Sequence, residues 1–355
     1  MSLIFQVYSL SDSDTWDAVV EEHFNSFTQY YARYCKCYEN ETDDEPYCCH
    51  YFDGSGRIIY AFFKRRITEP SLDQPYFDII SPYGFGGPIY SGDPMKKSQV
   101  FHKFNELFRE YCDLEGIVSE FIRIDPLMND QIKSYKKFYD VRLDNYNIYG
   151  STTGTDEEIF LNIKKKNRYG VRRGLEEGLN VKVSKTNQEI RQFGDLYRET
   201  MHRHHQTGFL NFSQTFFTKL FSCMTDRVYL FNCYKDDLLL ASSVFLSDKC
   251  MLHYFLAANR RTPKTHYASH IIIYQAALWA RDNGFKELHL GGGAASLTQF
   301  KRSMMPLKVP YYVATRITNR DVYQKLVEKG LAEYKINPAP TGFFFPEYRR
   351  FTVKK

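Results

Sequence analysis

The spacing of apolar residues divides the chain into two similar series of predicted elements. In the first half, apolar residues recur at helical spacing from residue 14 to 38 and again from Phe101 to Leu114. Short apolar runs bounded by turn residues predict strands at PYCCHYF, RIIYAFFKRRI, YFDIIS, IVSEFIRIDP and VRLDNYNIYG. The predicted order of the first half is therefore helices, antiparallel strands, a helix and then strands.

The second half repeats this order after the polar connection STTGTD, which marks the predicted domain boundary. Helical spacing covers residues 156 to 178, 187 to 206, 213 to 224 and 267 to 283. Strands are predicted at RVYLFNCY, LLLASSVFL, CMLHYFLAA and KELHL. The chain is thus predicted to contain two copies, at low identity, of an α/β unit of about 150 residues.

Three consecutive glycines, Gly291, Gly292 and Gly293, directly follow the last of these strands. Ser296 stands three residues before Gln299, the spacing of a capping box, so a short helix carrying Lys301 is predicted to begin there. Glycine amides and the first N–H groups of a helix can donate to a carbonyl oxygen or a phosphate. Lys301 adds a positive charge to this turn. The alternative interpretation is an ordinary strand-to-helix turn with a solvated lysine.

The composition fits a protein of two domains without a strong charge bias. The 355 residues exceed one average domain, and two domains would each be large enough to bury a core. The 28 Tyr and 29 Phe raise the aromatic share to 17%, which predicts clefts with polar lips as well as a core. The net charge of +5 is too small to define a nucleic-acid-binding protein, so the location of the charges matters more.

The sequence shows no signal for secretion or for a membrane span. MSLIFQVYSLSDSD lacks a basic start followed by a long apolar run, and no segment has the roughly 18 apolar residues of a membrane helix. A cytoplasmic location is therefore expected, with the eight cysteines reduced. No metal site is predicted, because neither the Cys and His residues within 35–50 nor the histidines within 202–205 have a recognised ligand spacing.

Several motifs together resemble the Fem-type peptidoglycan-bridge aminoacyltransferases. They are spread over most of the chain, in this order: PYGFGGP, FIRIDP, KKKNRYGVRRGLEEG, THYASHIIIYQAALWA and LHLGGG followed by FK. The resemblance implies an α/β (α+β) fold of two tandem GNAT-like domains, whose mixed and mostly antiparallel sheets are flanked by helices. It assigns residues 1–150 to the first domain, completed by residues 318–355. Residues 151–317 form the second domain, which carries the predicted acyl-transfer cleft.

Two departures from related proteins bear on the acyl donor. Ordinary GNAT enzymes bind the coenzyme A pyrophosphate through a glycine-rich loop after the splayed central strand, whereas NRRTPKTHYAS follows that strand here. Coenzyme A is therefore disfavoured as the donor, and no cofactor is predicted. Residues 174 to 230 also lack a sustained heptad run, so the chain resembles the family members without the long helical arm that recognises tRNA.

Six cations lie within the ten residues from Lys164 to Arg173. Lys165, Arg168 and Arg172 share one face of the predicted helix, because they are spaced by three and four residues. Such a face can bind a diphosphate or an RNA backbone, and Arg168 and Arg172 are favoured since arginine binds phosphate in a bidentate manner. The resemblance places sugar-nucleotide phosphates near this helix. A solvated helix face is the alternative interpretation.

Phe300 and Lys301 match the Phe-Lys pair that lies at the active cleft of the Fem-type family. Amide formation by acyl transfer passes through a tetrahedral oxyanion, which a pre-placed cation stabilises, so Lys301 is the first catalytic candidate. Tyr254 matches an aromatic strand of the family and is expected to orient the amine or the ester, although a single Tyr is often a core residue. Tyr83 and Gly86, within PYGFGGP, are expected at a tight turn where the backbone approaches a ligand.

The predicted function is an amide-forming acyl transfer. The donor is expected to be aminoacyl-tRNA, and the acceptor an amine of a cell-wall precursor, carried by a sugar-nucleotide or a lipid-linked muropeptide, without integral membrane contact. One alternative is an N-acyltransferase that moves an acyl group from a thioester to an amino sugar or another amine. Another alternative is a non-catalytic protein that binds ligands in the same cleft.

Overall fold

The computed structural model describes residues 3–24, 28–126, 131–205, 209–248, 250–262, 267–334 and 343–351 of the protein. Within these residues, 13 strands form one continuous sheet. In chain order the strands are β1 (Ile4–Tyr8), β2 (Glu45–Phe52), β3 (Gly56–Arg66), β4 (Phe77–Ile80), β5 (Ile89–Gly92), β6 (Ile117–Arg123), β7 (Asp140–Ser151), β8 (Asn180–Val183), β9 (Val228–Lys235), β10 (Leu238–Ser247), β11 (Met251–Asn259), β12 (Glu287–Gly291) and β13 (Leu307–Ile317).

Helices flank this sheet. Those in the described part of the chain are α1 (Ser13–Phe24), α2 (Ala32–Cys35), α3 (Lys97–Leu114), α4 (Ile132–Tyr135), α5 (Asp156–Asn162), α6 (Lys165–Glu176), α7 (Asn187–Arg203), α8 (Gln214–Cys223), α9 (Ala268–Asp282), α10 (Ala295–Met304) and α11 (Arg320–Tyr334). None of the described helices combines the length and the apolar character needed to cross a membrane.

The sheet contains the same arrangement twice. Each half has one parallel pair of strands, β4 with β6 in the first half and β11 with β12 in the second. α3 connects the first pair and α9 connects the second, because parallel strands need a crossover that a tight turn cannot provide. All other pairings among the described strands are antiparallel. The predicted duplication and the predicted mixed, mostly antiparallel character are confirmed.

β7 and β13 join the two halves into one sheet. β7 pairs with β12 of the second half, and β13 pairs with β6 of the first half. The two strands also pair with each other, from Leu307 opposite Tyr149 to Thr315 opposite Asp140. The strand that ends at the predicted boundary near residue 150 therefore lies at the centre of the sheet. The division into domains at residues 150 and 317 stays a prediction.

Helices cover both faces of the sheet, as the alternation of side chains along β3 shows. Ile59 and Ala61 belong to a core that also contains side chains of α1, α7 and α8. Ile58, Tyr60 and Phe62 point to the opposite face and pack with α3. Because the first of these cores also receives side chains of β10, it spans both halves of the chain.

The end of the described chain packs against the first half. α11 contributes Val322 and Leu326 to a small core that includes Val118 of β6. Tyr348 donates a hydrogen bond to the buried Asp78 carboxylate at 3.0 Å. Arg349 forms an ion pair with the same carboxylate at 2.8 Å. These contacts hold the chain end against β4 and β6.

The apolar pattern does not predict six of the observed elements: β1, β5, β8, β13, α4 and α11. β1, β5 and β8 have only four or five residues, which is too short for a period to stand out. β13 contains Pro310, which argues against a central strand. The structure accommodates Pro310 where β13 pairs with β7 alone, because the pairing with β6 begins only at Val313.

A buried ion pair ties β13 to the first half. The Glu120 carboxylate of β6 is fully buried, and Arg316 of β13 donates to it at 2.5 Å. Arg316 also donates to the Asn105 side chain of α3 at 3.0 Å. Burial raises the pKa of Glu120, although the Arg316 charge opposes this rise. The pair is therefore needed to offset the cost of burying either charge.

We expect Arg316→Met to lower the free energy of unfolding by about 3 to 5 kcal/mol, because it leaves the Glu120 charge buried without its partner. The double variant Glu120→Leu with Arg316→Met is the matched control, and it should recover most of this loss since neither charge remains. Urea unfolding followed by circular dichroism measures both. Equal losses in the single and the double variant would contradict the proposed cause.

Candidate active site

A cleft opens where β11 and β12 separate. The two parallel strands pair only over three positions, which end at His253 opposite His289. Beyond these residues the strands no longer pair, and a cleft of about 380 Å³ lies between them and the first half. Its walls are formed by Gln29, Tyr83, Gly84, Phe85, Arg123, Asp144, Asn145, Asn147, His253, Tyr254, Phe255, His289, Leu290, Gly291, Gly292, Gly293, Lys301 and Tyr311.

Lys301 lies in this cleft and is 6% exposed. It belongs to α10, and its ammonium donates a hydrogen bond to the Gly292 carbonyl at 2.5 Å. The same ammonium lies 5.6 Å from the ring centroid of Tyr254, within the range of a cation–π contact. Burial lowers the pKa of Lys301 to about 8. The structure therefore brings Tyr254 together with Lys301 and the glycines, which the sequence prediction had placed in one turn.

The three glycines form the wall between Lys301 and β7. Gly291 and Gly293 have φ of 69° and 139°, which only glycine adopts without strain. A Cβ on Gly292 would stand 2.8 Å from the Asn147 side-chain oxygen, so the backbone approaches β7 closely. Asn145 donates to the Gly293 carbonyl at 3.2 Å. The glycines are thus required for the close approach of this turn to the central strand.

The start of α10 differs from the sequence prediction. The N-cap is Ala294, whose side chain makes no capping hydrogen bond, and the helix begins at Ala295. The predicted capping box of Ser296 with Gln299 is therefore wrong. It cannot form because both residues lie inside the helix, where Ser296 has helical geometry and cannot act as an N-cap.

Phe300 is placed away from the cleft. Its ring packs on His270 of α9, with the centroids 5.0 Å apart, and joins the core of the second half. Phe300 is not among the residues that line the cleft in the described part of the chain. The structure therefore gives Phe300 a packing contact that supports α10, and it separates this residue from Lys301, with which the sequence prediction grouped it as catalytic.

The first half contributes the opposite wall of the cleft. Tyr83 packs its ring on Phe255 at 5.5 Å, and Arg123 lies with its guanidinium 5.1 Å from the Phe121 ring. Burial lowers the pKa of Arg123. Tyr83 and Arg123 also line a second cavity of about 200 Å³, which the first half forms together with Phe209 of the second half. Its other lining residues are Tyr38, Thr42, Asp44, Phe63, Arg65, Ile80 and Ser81. The two cavities are therefore neighbours that share a wall.

Gly86 lies beside this wall and not in it. Its amide donates to the Arg123 carbonyl at 2.8 Å, and a Cβ there would stand 2.8 Å from the Ser81 Cβ. The PYGFGGP segment is thus a tight turn that is bonded to the end of β6. Tyr83, Gly84 and Phe85 of the same segment reach the cleft, so the turn places side chains there while Gly86 fixes its backbone.

The basic run forms α6, which packs on α9 through Gly170 and Gly174. Arg168 is half-buried, whereas Lys165 and Arg172 are exposed. The Arg172 guanidinium lies 5.1 Å from the Phe160 ring. None of the three cations is among the lining residues of the cleft, although α6 is joined to α10 by a backbone hydrogen bond from Lys164 to Ser303 at 2.9 Å. They form a basic surface beside the helix that carries Lys301.

Two histidines at the end of the β11–β12 pairing are functional candidates that the sequence interpretation missed. His253 and His289 join through their Nδ1 atoms at 3.0 Å, and His253 Nε2 contacts the Asp248 carboxylate at 2.9 Å. Both rings are largely buried, and both line the cleft. The residues are 36 positions apart in sequence, so only the strand register brings them together. Each is a single histidine in an apolar strand, which gives no local signal.

Comparison with known families identifies the second half. Residues 162–302 match the family model described as an acetyltransferase (GNAT) domain. This range includes α6, the β11–β12 fork, α9 and Lys301. No curated protein matches the sequence of the chain.

Comparison with solved structures identifies the whole fold. The crystal structure of FemX superposes with a TM-score of 0.70 at 12% identity, and it covers 92% of this chain and 99% of the FemX chain. A conserved protein of unknown function from Bacteroides thetaiotaomicron VPI-5482 has a TM-score of 0.57 at 12% identity, with 88% and 99% of the two chains covered. L-PGS from Bacillus licheniformis has a TM-score of 0.54 at 14% identity, with 90% and 96% covered.

The chain therefore contains a GNAT acetyltransferase domain over residues 162–302, which makes it an acyltransferase. Its fold is the tandem GNAT fold of the Fem type, as the similarity to FemX over nearly the whole of both chains shows. The predicted family resemblance and fold class are confirmed. The roles of the individual cleft residues stay predictions.

We expect Lys301→Met to stabilise the fold at neutral pH. Because burial lowers the Lys301 pKa from 10.5 to about 8, the unfolded chain binds more protons between these values, and stability rises with pH there. At about 1.4 kcal/mol per pKa unit, less the lost hydrogen bond to Gly292, the gain should be about 2 kcal/mol below pH 8 and should vanish at about pH 9.5.

Urea unfolding between pH 6 and 10 measures this difference. The exposed Lys325 of α11 provides the control, since Lys325→Met should change stability little and equally at each pH. A Lys301→Met variant that is less stable than the wild type at every pH would show that the ammonium is a net stabilising group in its site.

Proposed function

We propose that the protein transfers an aminoacyl group from aminoacyl-tRNA to an amine of a peptidoglycan precursor. The observation that supports this most is the buried Lys301 beside the glycine turn, at the open fork of the GNAT domain. FemX and L-PGS share this fold, and the Fem-type resemblance of the sequence motifs points to aminoacyl transfer. The reaction forms an amide and releases the tRNA with a free hydroxyl group.

Lys301 supplies the charge that this reaction requires. Attack of an amine on an ester places negative charge on the carbonyl oxygen, and a cation held nearby stabilises the tetrahedral state. An ammonium has three N–H groups, and the Gly292 carbonyl accepts one of them, so two remain for the oxyanion. The hydrogen bond to Gly292 thus orients the Lys301 ammonium without using all of its N–H groups. The Tyr254 ring limits the movement of the same ammonium on the side of β11.

The acceptor is proposed to extend from the smaller cavity into the cleft. Tyr83 and Arg123 line both spaces, so a ligand in the smaller cavity lies next to the fork. Arg123 is half-buried, and its side chain donates no hydrogen bond within the described residues. A guanidinium that lines the cleft and donates no side-chain hydrogen bond favours an anionic ligand, because phosphate or carboxylate accepts charge-assisted hydrogen bonds. Muropeptide precursors on a sugar-nucleotide or a lipid carry both groups.

The donor is proposed to contact the basic surface of α6. Lys165, Arg168 and Arg172 carry charges beside α10, and RNA phosphates are bound mainly through such contacts. The segment after β11 provides further support, since it lacks the glycines with which coenzyme A is held in ordinary GNAT enzymes. Residues 263–266 of that segment lie outside the described part of the chain.

A second candidate is an N-acyltransferase that uses an acyl thioester. The matched family model favours it, since its description is an acetyltransferase. The cleft chemistry is the same in both cases, because a thioester and an oxygen ester both pass through an oxyanion at Lys301. The two candidates differ in the donor alone.

A donor comparison tests the proposed function. We expect the protein to transfer labelled amino acid from charged tRNA to a synthetic muropeptide, with product masses recorded, and we expect ribonuclease to abolish the signal. Lys301→Met should lower turnover by a factor of about 100 or more while the KM for the muropeptide changes little, since the charge acts in the transition state. Transfer from acyl-CoA to an amino sugar, and none from charged tRNA, would support the thioester candidate instead.

We expect Arg168→Ala combined with Arg172→Ala to weaken tRNA or acceptor binding without loss of fold. Each lost charge-assisted contact should cost about 1.5 to 3 kcal/mol, and the salt dependence of binding should become shallower. Binding isotherms at several salt concentrations measure both. Arg191→Ala combined with Arg198→Ala removes the same charge from exposed positions of α7 and is the matched control. Equal effects in the two double variants would show that the α6 face is only solvated.

A further inference from the structure

We infer that Asp248, His253 and His289 form a proton relay in which His289 Nε2 takes a proton from the acceptor amine and returns one to the leaving atom, the oxygen of an ester or the sulfur of a thioester. This inference rests on amide-forming acyl transfer as the proposed function, and it holds for an ester or a thioester donor. His289 is the catalytic residue of the relay, whereas His253 and Asp248 are positioning residues.

The three side chains form a continuous line from a turn to the cleft. Asp248 is fixed by the amides of Cys250 and Met251, which donate to its Oδ1 at 3.1 and 3.0 Å. Its Oδ2 contacts His253 Nε2 at 2.9 Å, and His253 Nδ1 contacts His289 Nδ1 at 3.0 Å. The rings of His253 and His289 are nearly perpendicular, at 88°. Three of the four ring nitrogens are thereby used.

The fourth nitrogen, His289 Nε2, is buried and has no hydrogen-bond partner in the described part of the chain. A buried polar atom without a partner is unfavourable and is rare outside functional sites. His289 is 2% exposed, and its ring packs against Phe85 of the first-half turn, 5.6 Å away. His50 also has a buried nitrogen without a partner, but it lies outside the cleft. Among the described residues, His289 alone combines such a nitrogen with a place in the cleft wall and a hydrogen-bonded connection to a carboxylate.

The hydrogen bonds allow only two proton arrangements. When both rings are neutral, His253 Nε2–H donates to Asp248, His289 Nδ1–H donates to His253 Nδ1, and His289 Nε2 carries a free lone pair. When one proton is added, His253 becomes an imidazolium whose Nδ1–H donates to His289 Nδ1. His289 then stays neutral but carries its hydrogen on Nε2. When His289 takes up a proton at the cleft, the positive charge therefore lies on His253, beside Asp248.

The surrounding charges favour this placement of the proton. Burial lowers the pKa of His253, but the hydrogen bond and charge of Asp248, with Asp125 and Glu287 further away, raise it overall. Burial, the neighbouring His253 and Lys301 hold the pKa of His289 well below its usual range. His253 is therefore the ring that becomes charged, and His289 passes the proton between the cleft and His253.

The relay balances the protons of the reaction. The acceptor enters as an ammonium and loses one proton to His289 Nε2, while the Nδ1 proton of His289 moves to His253. The amine then attacks the carbonyl carbon, and the C–N bond forms. As the bond from carbon to the leaving atom breaks, His289 Nε2–H protonates that atom and recovers its Nδ1 proton from His253. The second proton of the attacking nitrogen leaves to water, so that one proton is released in total.

Histidine NMR tests the relay without any substrate. Long-range proton–nitrogen spectra of protein labelled with ¹⁵N-histidine, assigned through the His253→Gln and His289→Gln variants, report which nitrogen carries hydrogen. We expect a single titration that charges His253 and at the same time moves the His289 hydrogen from Nδ1 to Nε2. Asp248→Asn should shift this titration to lower pH. A His289 ring that keeps one tautomer throughout, or becomes charged itself, would overturn the inference.

Transfer kinetics test its role in catalysis. His289→Gln should lower the single-turnover rate to a synthetic muropeptide amine by about 100-fold or more, since general acid–base catalysis contributes on that scale. The rate of the wild type should rise with pH through the relay titration. Asp248→Asn should move that inflection to lower pH, because its charge no longer supports protonated His253. Added imidazole should partly restore His289→Ala.

The control is His102→Gln, which removes an exposed histidine of α3 and should leave the rate unchanged. A His289→Gln variant with the wild-type rate and pH profile would overturn the catalytic role. If the wild type transfers from neither charged tRNA nor acyl-CoA, the proposed function fails, and the NMR titration still decides whether the relay exists. Circular dichroism confirms that each variant is folded.

Discussion

The antiparallel pairing of β7 with β13 is the constraint on which the rest of the structure depends. Each strand bonds on its other side to one half of the molecule, β7 to β12 and β13 to β6. Separation of the halves would therefore expose two rows of backbone groups at once, which is costly without new partners. The pairing also fixes the cleft, because Asn145 and Asn147 of β7 and Tyr311 of β13 stand in its wall.

The two parallel pairs show how one copy of the duplicated unit keeps an open site. In the first half, the separation of β4 and β6 is closed by the following turn. Ser81 donates to the Phe121 carbonyl at 3.0 Å, and Gly86 bridges to Ile124. In the second half, the pairing of β11 and β12 stops at the two histidines, and the glycine turn leads away. The first fork thus carries a wall of the cleft, and the second fork remains open beside the glycine turn.

Local patterns in the sequence were sufficient to predict the features that depend on residues close together in the chain. The long strands and the crossover helices follow from apolar spacing, and the motif around Gly291 to Lys301 already predicted a polar turn with a cation. The pairing of β13 with β7 depends on register across about 160 residues, and Pro310 concealed the strand. His253 and His289, as well as Arg123, became recognisable only through the sheet, since the strand arrangement alone brings them to one cleft.

The charges of the cleft indicate what kind of state it stabilises. Burial lowers the pKa values of Lys301 and Arg123, so that the fold holds both cations in the cleft at a cost in stability. His289 is held neutral by the same burial and by neighbouring positive charge. Because Asp144 is the exposed acidic residue in the wall, little negative charge offsets these groups inside. Under the proposed function, negative charge that develops within the cleft during acyl transfer supplies what the folded chain lacks, and the cost of holding the two cations there becomes stabilisation of the transition state.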